Sequence, residues 1–235
     1  PRSSTSRSTA RNEPRYALPY NPGTNDGAML TATSMDGKAV ARGRSGWGVE
    51  NLGDSPGNEA VTVVDDPARS AGASNAVFDA EGHRMQPVTL IDRGTLKTFL
   101  TNQYVSNRLD LSNNHRAARS YSSLPGVGTT NFYLEPGDQS LDELRDELHS
   151  GPVVTGIQPG SGLDSVAGHF SVGASGYFVE NGQRTRAFDE ATLSGTVGDL
   201  LSGVRERGED LPEGYSVAAP SLLVEELSLG GSESS

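Results

Sequence analysis

Residues 168–188 read GHFSVGASGYFVENGQRTRAF and contain the clearest turn signal in the chain. An Asn-Gly pair, Asn181-Gly182, separates an apolar run at residues 177–180 from a second run that ends at Phe188. Asn-Gly favours a two-residue hairpin turn because both residues accept the positive φ angles that this turn requires. The pattern therefore predicts two antiparallel strands joined by this pair.

Small residues are concentrated in the strand that leads into this turn. Gly173 and Gly176 lie within it, and glycine inside a strand predicts a bulge or the close approach of another backbone. The pattern favours a tight corner in a barrel-like sheet, and backbone docking of a peptide or a partner chain is the alternative. The residues predicted to contact a substrate or a partner on this strand are His169, Phe170, Ser171, Gly173 and Gly176.

A second hairpin is predicted upstream. Apolar runs at residues 88–91 and 96–100 flank residues 92–94 (DRG), where glycine supplies the positive φ of a turn. Apolar residues then recur at helical spacing, so the second strand is expected to lead into a short helix. These residues are Leu100, Tyr104, Val105 and Leu109.

Two more helices are predicted from capping and periodicity. Residues 140–149 begin with Ser140 and carry Glu143 three positions later, which is the pattern of a capping box. A second amphipathic helix is expected to end near Gly208. Its apolar positions are Val197, Leu200, Leu201 and Val204.

The remaining segments give weaker signals. Residues 29–44 predict a weak hairpin with its turn at residues 36–37, residues 16–27 predict a loop, and the polar residues 111–128 predict a functional or mobile loop. Short apolar runs predict further strands at residues 61–64, 131–135, 153–157 and 221–229. Consecutive strands joined by tight turns indicate an α+β fold, a mainly antiparallel sheet or barrel-like domain with two or three short helices.

Composition excludes several classes of protein. The 235 residues include no Cys, so no disulfide framework, cysteine nucleophile or Cys-ligated zinc is expected within this chain. The net charge of −11 argues against nucleic acid as a partner, since nucleic-acid binding normally depends on clustered Lys and Arg. No run approaches the roughly 18 to 20 apolar residues that span a bilayer, so no membrane partner is expected and we predict a cytoplasmic protein.

Charge also divides the chain. Residues 1–58 carry seven basic and five acidic side chains, whereas residues 59–235 carry twelve and twenty-five. We predict that residues 1–58 are an N-terminal tail and weak hairpin, or the remnant of a larger N-terminal region. Residues 59–230 are predicted to form the main domain, and residues 231–235 a polar tail.

No local motif identifies a self-sufficient active site. A zinc peptidase needs two His one helical turn apart with a Glu between them. The four His are too far apart for this, at positions 83, 115, 149 and 169. A G-x-S-x-G nucleophile elbow and a complete phosphate-binding loop are also missing from the sequence.

Several motifs, taken in order, resemble the TldD/PmbA family of metallopeptidases, whose PmbA type is also called TldE. They are residues 131–144 (NFYLEPGDQSLDEL), 168–182 (GHFSVGASGYFVENG) and 219–230 (APSLLVEELSLG), with weaker likeness at 61–67 and 78–111. The resemblance covers about residues 59–230. It implies a role in cleaving peptides or unfolded proteins and in maturing peptide precursors.

The resemblance also implies a division of labour between two subunits. A TldD-type chain carries an H-E-x-x-x-H zinc motif and a Cys near its C-terminus, and a TldE-type partner lacks both. This chain has neither feature and its glycine-rich strand is similar to the TldE type, although His169 replaces the usual Asp and Val172 the usual Arg. No catalytic or metal-binding residue is therefore assigned here, and zinc is expected in a TldD-like partner subunit.

Three hypotheses follow. The first is a non-catalytic TldE-like subunit that pairs with a zinc-bearing TldD-like chain and offers strands to a peptide substrate. The second is an autonomous binding or scaffolding domain that has lost protease function. The third is an independent enzyme that uses His169 and a nearby Ser.

Overall fold

Strands dominate the computed structural model, which describes residues 15–18, 31–158, 162–164, 166, 168–225 and 227–230. In chain order the strands are β1 (Arg15–Leu18), β2 (Val63–Asp65), β3 (Val88–Asp92), β4 (Thr95–Leu96), β5 (Ala117–Ala118), β6 (Gly126–Val127), β7 (Phe132–Leu134), β8 (Gly151–Gln158), β9 (Leu163–Asp164), β10 (His169–Glu180), β11 (Gln183–Thr196), β12 (Val204–Arg207), β13 (Val217–Ala218), β14 (Leu222–Glu225) and β15 (Ser228–Gly230). The helices are α1 (Gly37–Val40), α2 (Gln103–Leu109), α3 (Leu141–Leu148) and α4 (Val197–Gly203); residues 31–34 are also helical, and Val49–Asn51 form a 3₁₀ turn.

These strands form two main sheets. The larger has the order β12-β14-β1-β8-β10-β11-β15, with β9 paired to the start of β10. The smaller has the order β13-β7-β2-β3-β4, and β5 pairs with β6 in a separate hairpin. Two pairs are parallel, β1 with β8 and β13 with β7, while the other pairs are antiparallel. The predicted α+β fold with mainly antiparallel strands is confirmed.

The larger sheet buries apolar side chains on both of its faces. Val154 of β8 belongs to a core shared with Ile91 and Phe132 of the smaller sheet. Its neighbour Val153 belongs to a second cluster, which Leu144 of α3 helps to close. Successive side chains of a strand point to opposite faces, so a continuous apolar strand can serve both clusters.

Elements with strong local signals form as expected. Ser140 caps α3, where its amide donates to Glu143 Oε2 at 2.8 Å and its Oγ accepts from the Glu143 amide at 3.3 Å. The pKa of the Glu143 carboxyl is lowered by the hydrogen bond from the Ser140 amide and by a second one, at 2.8 Å, that the Ser140 hydroxyl donates to Oε2. The hairpins β3–β4 and β10–β11 and the helix α2 are likewise confirmed.

The hairpin predicted at residues 29–44 is wrong, because helical turns lie on both sides of Asp36. Asp36 caps α1 by accepting a hydrogen bond from the Lys38 amide at 2.8 Å. Gly37 packs so closely that a Cβ there would collide with the Leu100 carbonyl oxygen. The Asp-Gly pair therefore serves capping and close packing instead of a turn. Burial raises the pKa of Asp36, although hydrogen bonds from the Lys38 and Ala39 amides oppose this shift.

Three other boundaries differ from the prediction because tertiary pairing decides them. β1 lies at residues 15–18, at the start of the predicted loop, where it pairs with β14 and β8. Val204 leaves the predicted helix and pairs with Val224 as the first residue of β12. The strand predicted at residues 221–229 is two strands, β14 and β15, which pair with different neighbours.

The loop predicted at residues 111–128 is held from inside by a buried ion pair. Arg116 is 1% exposed, and its Nε donates to a carboxylate oxygen of the buried Asp65. The Asp65 carboxylate also accepts from the amide and the hydroxyl of Thr130, both at 2.7 Å. The other guanidinium N–H groups donate to the carbonyl oxygens of Asn114, His115, Asp65 and Gln86. The buried ion pair therefore fixes this loop in place at Arg116.

The domain division at residue 58 stays a prediction. Within residues 31–58, Met35 belongs to the shared core and its carbonyl accepts from the Leu100 amide at 2.9 Å. The tail predicted over residues 1–14, the rest of the predicted loop from residue 19 and the polar tail at residues 231–235 lie outside the described residues.

Candidate functional site

The predicted contact strand, β10, is paired along both of its edges. Gly173 lies opposite Gln158 of β8 and Thr192 of β11, and this double pairing continues to Val179. An added peptide strand therefore has no free edge at Gly173 or Gly176. Contact with a substrate or a partner at these positions requires the face of the strand, and it stays a prediction.

The bulge predicted from the glycines is present. The register of β10 shifts at residues 174–176 against β11 and at 175–176 against β8. A Cβ on Gly176 would collide with the Val153 carbonyl oxygen and would lie 2.9 Å from Cζ of Phe188. Glycine is therefore required here because the backbone of β8 approaches closely. The glycines in this strand predicted a bulge or the close approach of another backbone, and β10 has both.

We expect Gly176→Ala to destabilise the fold by about 1–3 kcal/mol, because a backbone carbonyl and a partly buried ring must move. Gly198→Ala is a matched control, since Thr196 Oγ1 at 3.5 Å is the nearest atom that its Cβ would meet. Alanine in α4 should be neutral or stabilise by up to about 1 kcal/mol. Urea unfolding midpoints measure both, and a Gly176→Ala variant as stable as wild type would contradict the packing argument.

An open groove of about 620 Å³ lies at the beginning of β10, where three strands meet. His169 lies between Asp164 of β9 and Thr196 of β11 in the register of the sheet. Ser171 lies opposite Ser194. Paired residues on neighbouring strands share a face, so this face presents a row of polar side chains. The lining consists of Gly162, Asp164, His169, Phe170, Ser171, Ser194, Gly195, Thr196 and Asp199.

Local hydrogen bonds fix several polar groups of this groove. The Thr196 hydroxyl accepts from the Asp199 amide at 2.9 Å, and the Asp199 carboxylate accepts from the Thr196 amide at 2.9 Å. Asp164 accepts from the Val166 amide at 2.9 Å. Two carboxylates and several hydroxyls make the groove suited to polar or cationic parts of a peptide.

The described part of the groove shows no nucleophile that is hydrogen-bonded to an adjacent base. Within the described ranges, no hydrogen bond joins His169 to a serine hydroxyl, as a nucleophile with an adjacent base would require. In the same part of the chain, no three His, Asp or Glu side chains converge as metal ligands. The described residues of the groove offer hydroxyl and carboxylate groups but no assembled proton-transfer pair.

The structure separates the five residues predicted from the sequence. His169 and Ser171 line the groove with exposed side chains. Phe170 also borders the groove, but it is 4% exposed and belongs to the core, and Gly173 and Gly176 lie further along β10. Sequence reasoning missed four polar residues of the lining: Asp164, Ser194, Thr196 and Asp199. The T-x-x-D spacing of residues 196–199 is a capping-box signal that could have located the end of the groove. Asp164 has no such signal, because it reaches the groove through the pairing of β9 with β10.

The fold and the glycine-rich strand agree with a family model that describes a metallopeptidase domain. That model, the PmbA/TldA metallopeptidase C-terminal domain, matches residues 27–231. The chain belongs to this family. The resemblance inferred from its motifs is confirmed, and the match extends further towards the N-terminus than those motifs did.

Relatives and solved structures agree with this assignment. The chain is 33% identical over 155 residues to metalloprotease MJ0996 of Methanocaldococcus jannaschii, covering 65% of this chain and 34% of that protein. It is 26% identical over 198 residues to metalloprotease PmbA of Escherichia coli O157:H7, covering 84% and 42%. A candidate modulator of a DNA gyrase from Thermotoga maritima superposes with a TM-score of 0.83 at 29% identity, covering 93% of this chain and 50% of the other.

A structure of TldE from Thermococcus kodakarensis shares the fold, with a TM-score of 0.80 at 20% identity over 93% of this chain and 50% of the other. The chain thus spans half or less of the length of these proteins. Among the described residues, no helix is long and apolar enough to cross a membrane.

Proposed function

We propose that this chain is a TldE-like, non-catalytic component of a zinc-dependent peptidase. It pairs with a TldD-like subunit that carries the zinc ion. The pair acts in the cytoplasm on peptides or unfolded proteins and matures peptide precursors. This chain shapes the chamber and contacts the substrate, and it provides no metal ligand.

The observation that carries this proposal is a family fold without a set of metal ligands. The sequence has no Cys, and within the described residues no three His, Asp or Glu side chains converge. A catalytic zinc normally needs three protein ligands and an open position for water. The described residues of this chain therefore do not fit such an ion.

The groove beside β10 supports a substrate-contacting role. Its polar row, His169, Ser171, Ser194 and Thr196, lies on an open face next to Asp164 and Asp199. An extended peptide can lie across such a face and make side-chain hydrogen bonds, even though both edges of β10 are already paired along residues 173–179. The carboxylates favour a peptide with basic groups.

Reconstitution tests the proposal. The purified chain is assayed for bound zinc by mass spectrometry and for cleavage of fluorescently labelled casein, alone and mixed with the TldD-like chain of the same genome. We expect neither stoichiometric zinc nor cleavage from this chain alone. The mixture should form a stable complex, and a chelator should abolish its cleavage activity.

Two results would reject the proposal. Stoichiometric zinc with cleavage by this chain alone would make it an enzyme in its own right. Failure to bind the TldD-like chain in gel filtration and calorimetry would favour an autonomous binding domain. His169→Ala tests the third hypothesis: if this chain alone cleaves casein, unchanged cleavage by the variant excludes His169 as a required base.

A further inference from the structure

The groove at the beginning of β10 contains carboxylates, and its described lining contains no basic side chain other than one histidine. Asp164 and Asp199 are in the lining together with His169, and no Lys or Arg is among the described lining residues. In the sequence, residues 159–171 and 188–203 also contain no Lys or Arg, whereas they include four Asp or Glu. The segments that form the groove therefore carry only negative formal charges when the histidine is neutral.

The arginines on either side of residues 188–203 have partners elsewhere. Arg186 places its guanidinium over the Phe178 ring, 4.6 Å from the ring centroid. Arg205 lies beyond the far end of α4, where its Nε donates to Glu225 Oε2 at 2.7 Å. Neither arginine is in the described lining of the groove. A permanent positive charge in this part of the groove must therefore come from a ligand.

Backbone amides orient the two carboxylates. Asp199 Oδ2 accepts from the Thr196 amide, and Asp164 Oδ1 accepts from the Val166 amide, both at 2.9 Å. In the register of the sheet, His169 lies between Asp164 and Thr196, so the two carboxylates lie on either side of it. Because these groups are already held in place, binding a cation costs them little conformational entropy.

Two serine hydroxyls and an aromatic ring complete the surface. Ser171 lies opposite Ser194, and neither hydroxyl has a hydrogen-bond partner among the residues that the structure describes. Such hydroxyls can accept N–H groups from a ligand. Phe170 and Gly195 also border the groove and contact each other, since a Cβ on Gly195 would lie 3.2 Å from the Phe170 Cζ. A long side chain can pack its alkyl part on such apolar atoms while its charged end stays at the polar groups.

We propose that this groove binds the side chain of an arginine in a peptide. The inference rests on the proposed function for the source of the peptide, and it names the side chain that the groove selects. A guanidinium has a permanent charge and five N–H donors in a planar fork, whereas the ammonium of lysine is compact and more strongly hydrated. The carboxylates attract the charge, the serine hydroxyls accept further N–H groups, and the alkyl chain packs on the Phe170 ring.

Peptide binding to the purified full chain tests this assignment without a second subunit. The probe is a fluorescently labelled Gly/Ser heptapeptide with blocked termini and one central arginine. Its control carries citrulline instead, which has nearly the same shape and no charge. We expect the arginine peptide to bind about fivefold to tenfold more tightly in fluorescence anisotropy at 50 mM NaCl, and this ratio to decrease at 500 mM NaCl. A lysine peptide should bind more weakly than the arginine peptide.

Variants of the carboxylates locate the site. Asp164→Asn/Asp199→Asn removes both charges and keeps an oxygen at each position for the backbone amide, so it should bind the arginine and citrulline peptides equally. Asp164→Asn alone leaves the cap of α4 unchanged and should lower the ratio about twofold to threefold. The matched control is Asp189→Asn/Glu190→Gln, which removes two exposed carboxylates of β11 outside the described lining. It changes the net charge by the same amount as the double groove variant and should keep the wild-type ratio.

Three results would overturn the arginine site. They are equal binding of the arginine and citrulline peptides to wild type, a preference that survives in Asp164→Asn/Asp199→Asn with an unchanged circular dichroism spectrum, and an equal loss of preference in the matched control. A lysine peptide that binds as tightly as the arginine peptide would reject the guanidinium as the selected group. The proposed function would stand in each case, because zinc content and casein cleavage of the reconstituted pair test it separately. Failed reconstitution with a retained arginine preference would reject the subunit role and support the site.

Discussion

Replacing Arg116 with Met is expected to destabilise the protein by about 3–5 kcal/mol, which is the usual cost of removing one partner of a buried ion pair. Side chains of Arg116 and Asp65 are both inaccessible to solvent. Without the guanidinium, the Asp65 carboxylate retains its bonds from the amide and hydroxyl of Thr130, but it is buried without its cation. Carbonyl groups of Asn114, His115 and Gln86 also lose their donor.

Thermal and urea unfolding measure this effect. For a protein of this length, the loss corresponds to a decrease in Tm of roughly 6–20 °C. Arg119→Met is the matched control, because this nearby arginine is exposed and should change stability by less than about 0.5 kcal/mol. Adding Asp65→Asn to Arg116→Met should recover part of the loss, since it removes the uncompensated charge. Equal stability of Arg116→Met and wild type would show that the pair has no net structural role.

Replacing Phe170 with Ala is expected to destabilise the protein by about 3–5 kcal/mol. The ring is 4% exposed within the core shared by the two sheets, and a Cβ on Gly195 would lie 3.2 Å from its Cζ. Truncation would therefore leave a cavity between two strands that cannot collapse easily. The urea midpoint should decrease, and any loss of binding to a peptide or partner should follow the loss of folded protein.

Phe78→Ala is the control that distinguishes the effect of burial from the effect of removing a phenylalanine ring. Phe78 is 61% exposed, so its truncation should change stability by less than about 0.5 kcal/mol. A Phe170→Ala variant that unfolds like wild type but fails to bind the TldD-like chain would contradict this view. It would support the direct contact role that the sequence predicted for Phe170.

Elements with short-range signals could be predicted from the sequence. The Asn181-Gly182 turn, the glycine at residue 94 and the capping pair of Ser140 and Glu143 each specify a backbone shape within a few residues. Such signals do not depend on the rest of the fold. The same holds for the family, because its motifs are stretches of sequence.

The wrong predictions concern segments whose structure depends on contacts with residues distant in sequence. Residues 15–18 have no strong strand signal, yet β14 and β8 accept them as an inner strand of the larger sheet. Asp36-Gly37 has the composition of a turn but caps a helix against Leu100. Local propensity is weak evidence that tertiary contacts can override. Neither element could therefore be predicted from its neighbouring residues alone.

The amino-acid sequence alone determined the family, the α+β class, the cap of the helix at residues 141–148 and the hairpin turns at residues 92–94 and 181–182, because each depends on residues that are neighbours in the chain. Only the tertiary structure decided that Phe170 faces the core while His169 and Ser171 face a groove, since the pleat and the register of three strands set those directions. It also joined Ala80 to Ala117 and Glu81 to Gln103 through hydrogen bonds. Contacts between residues so distant in sequence form only when the whole chain has folded.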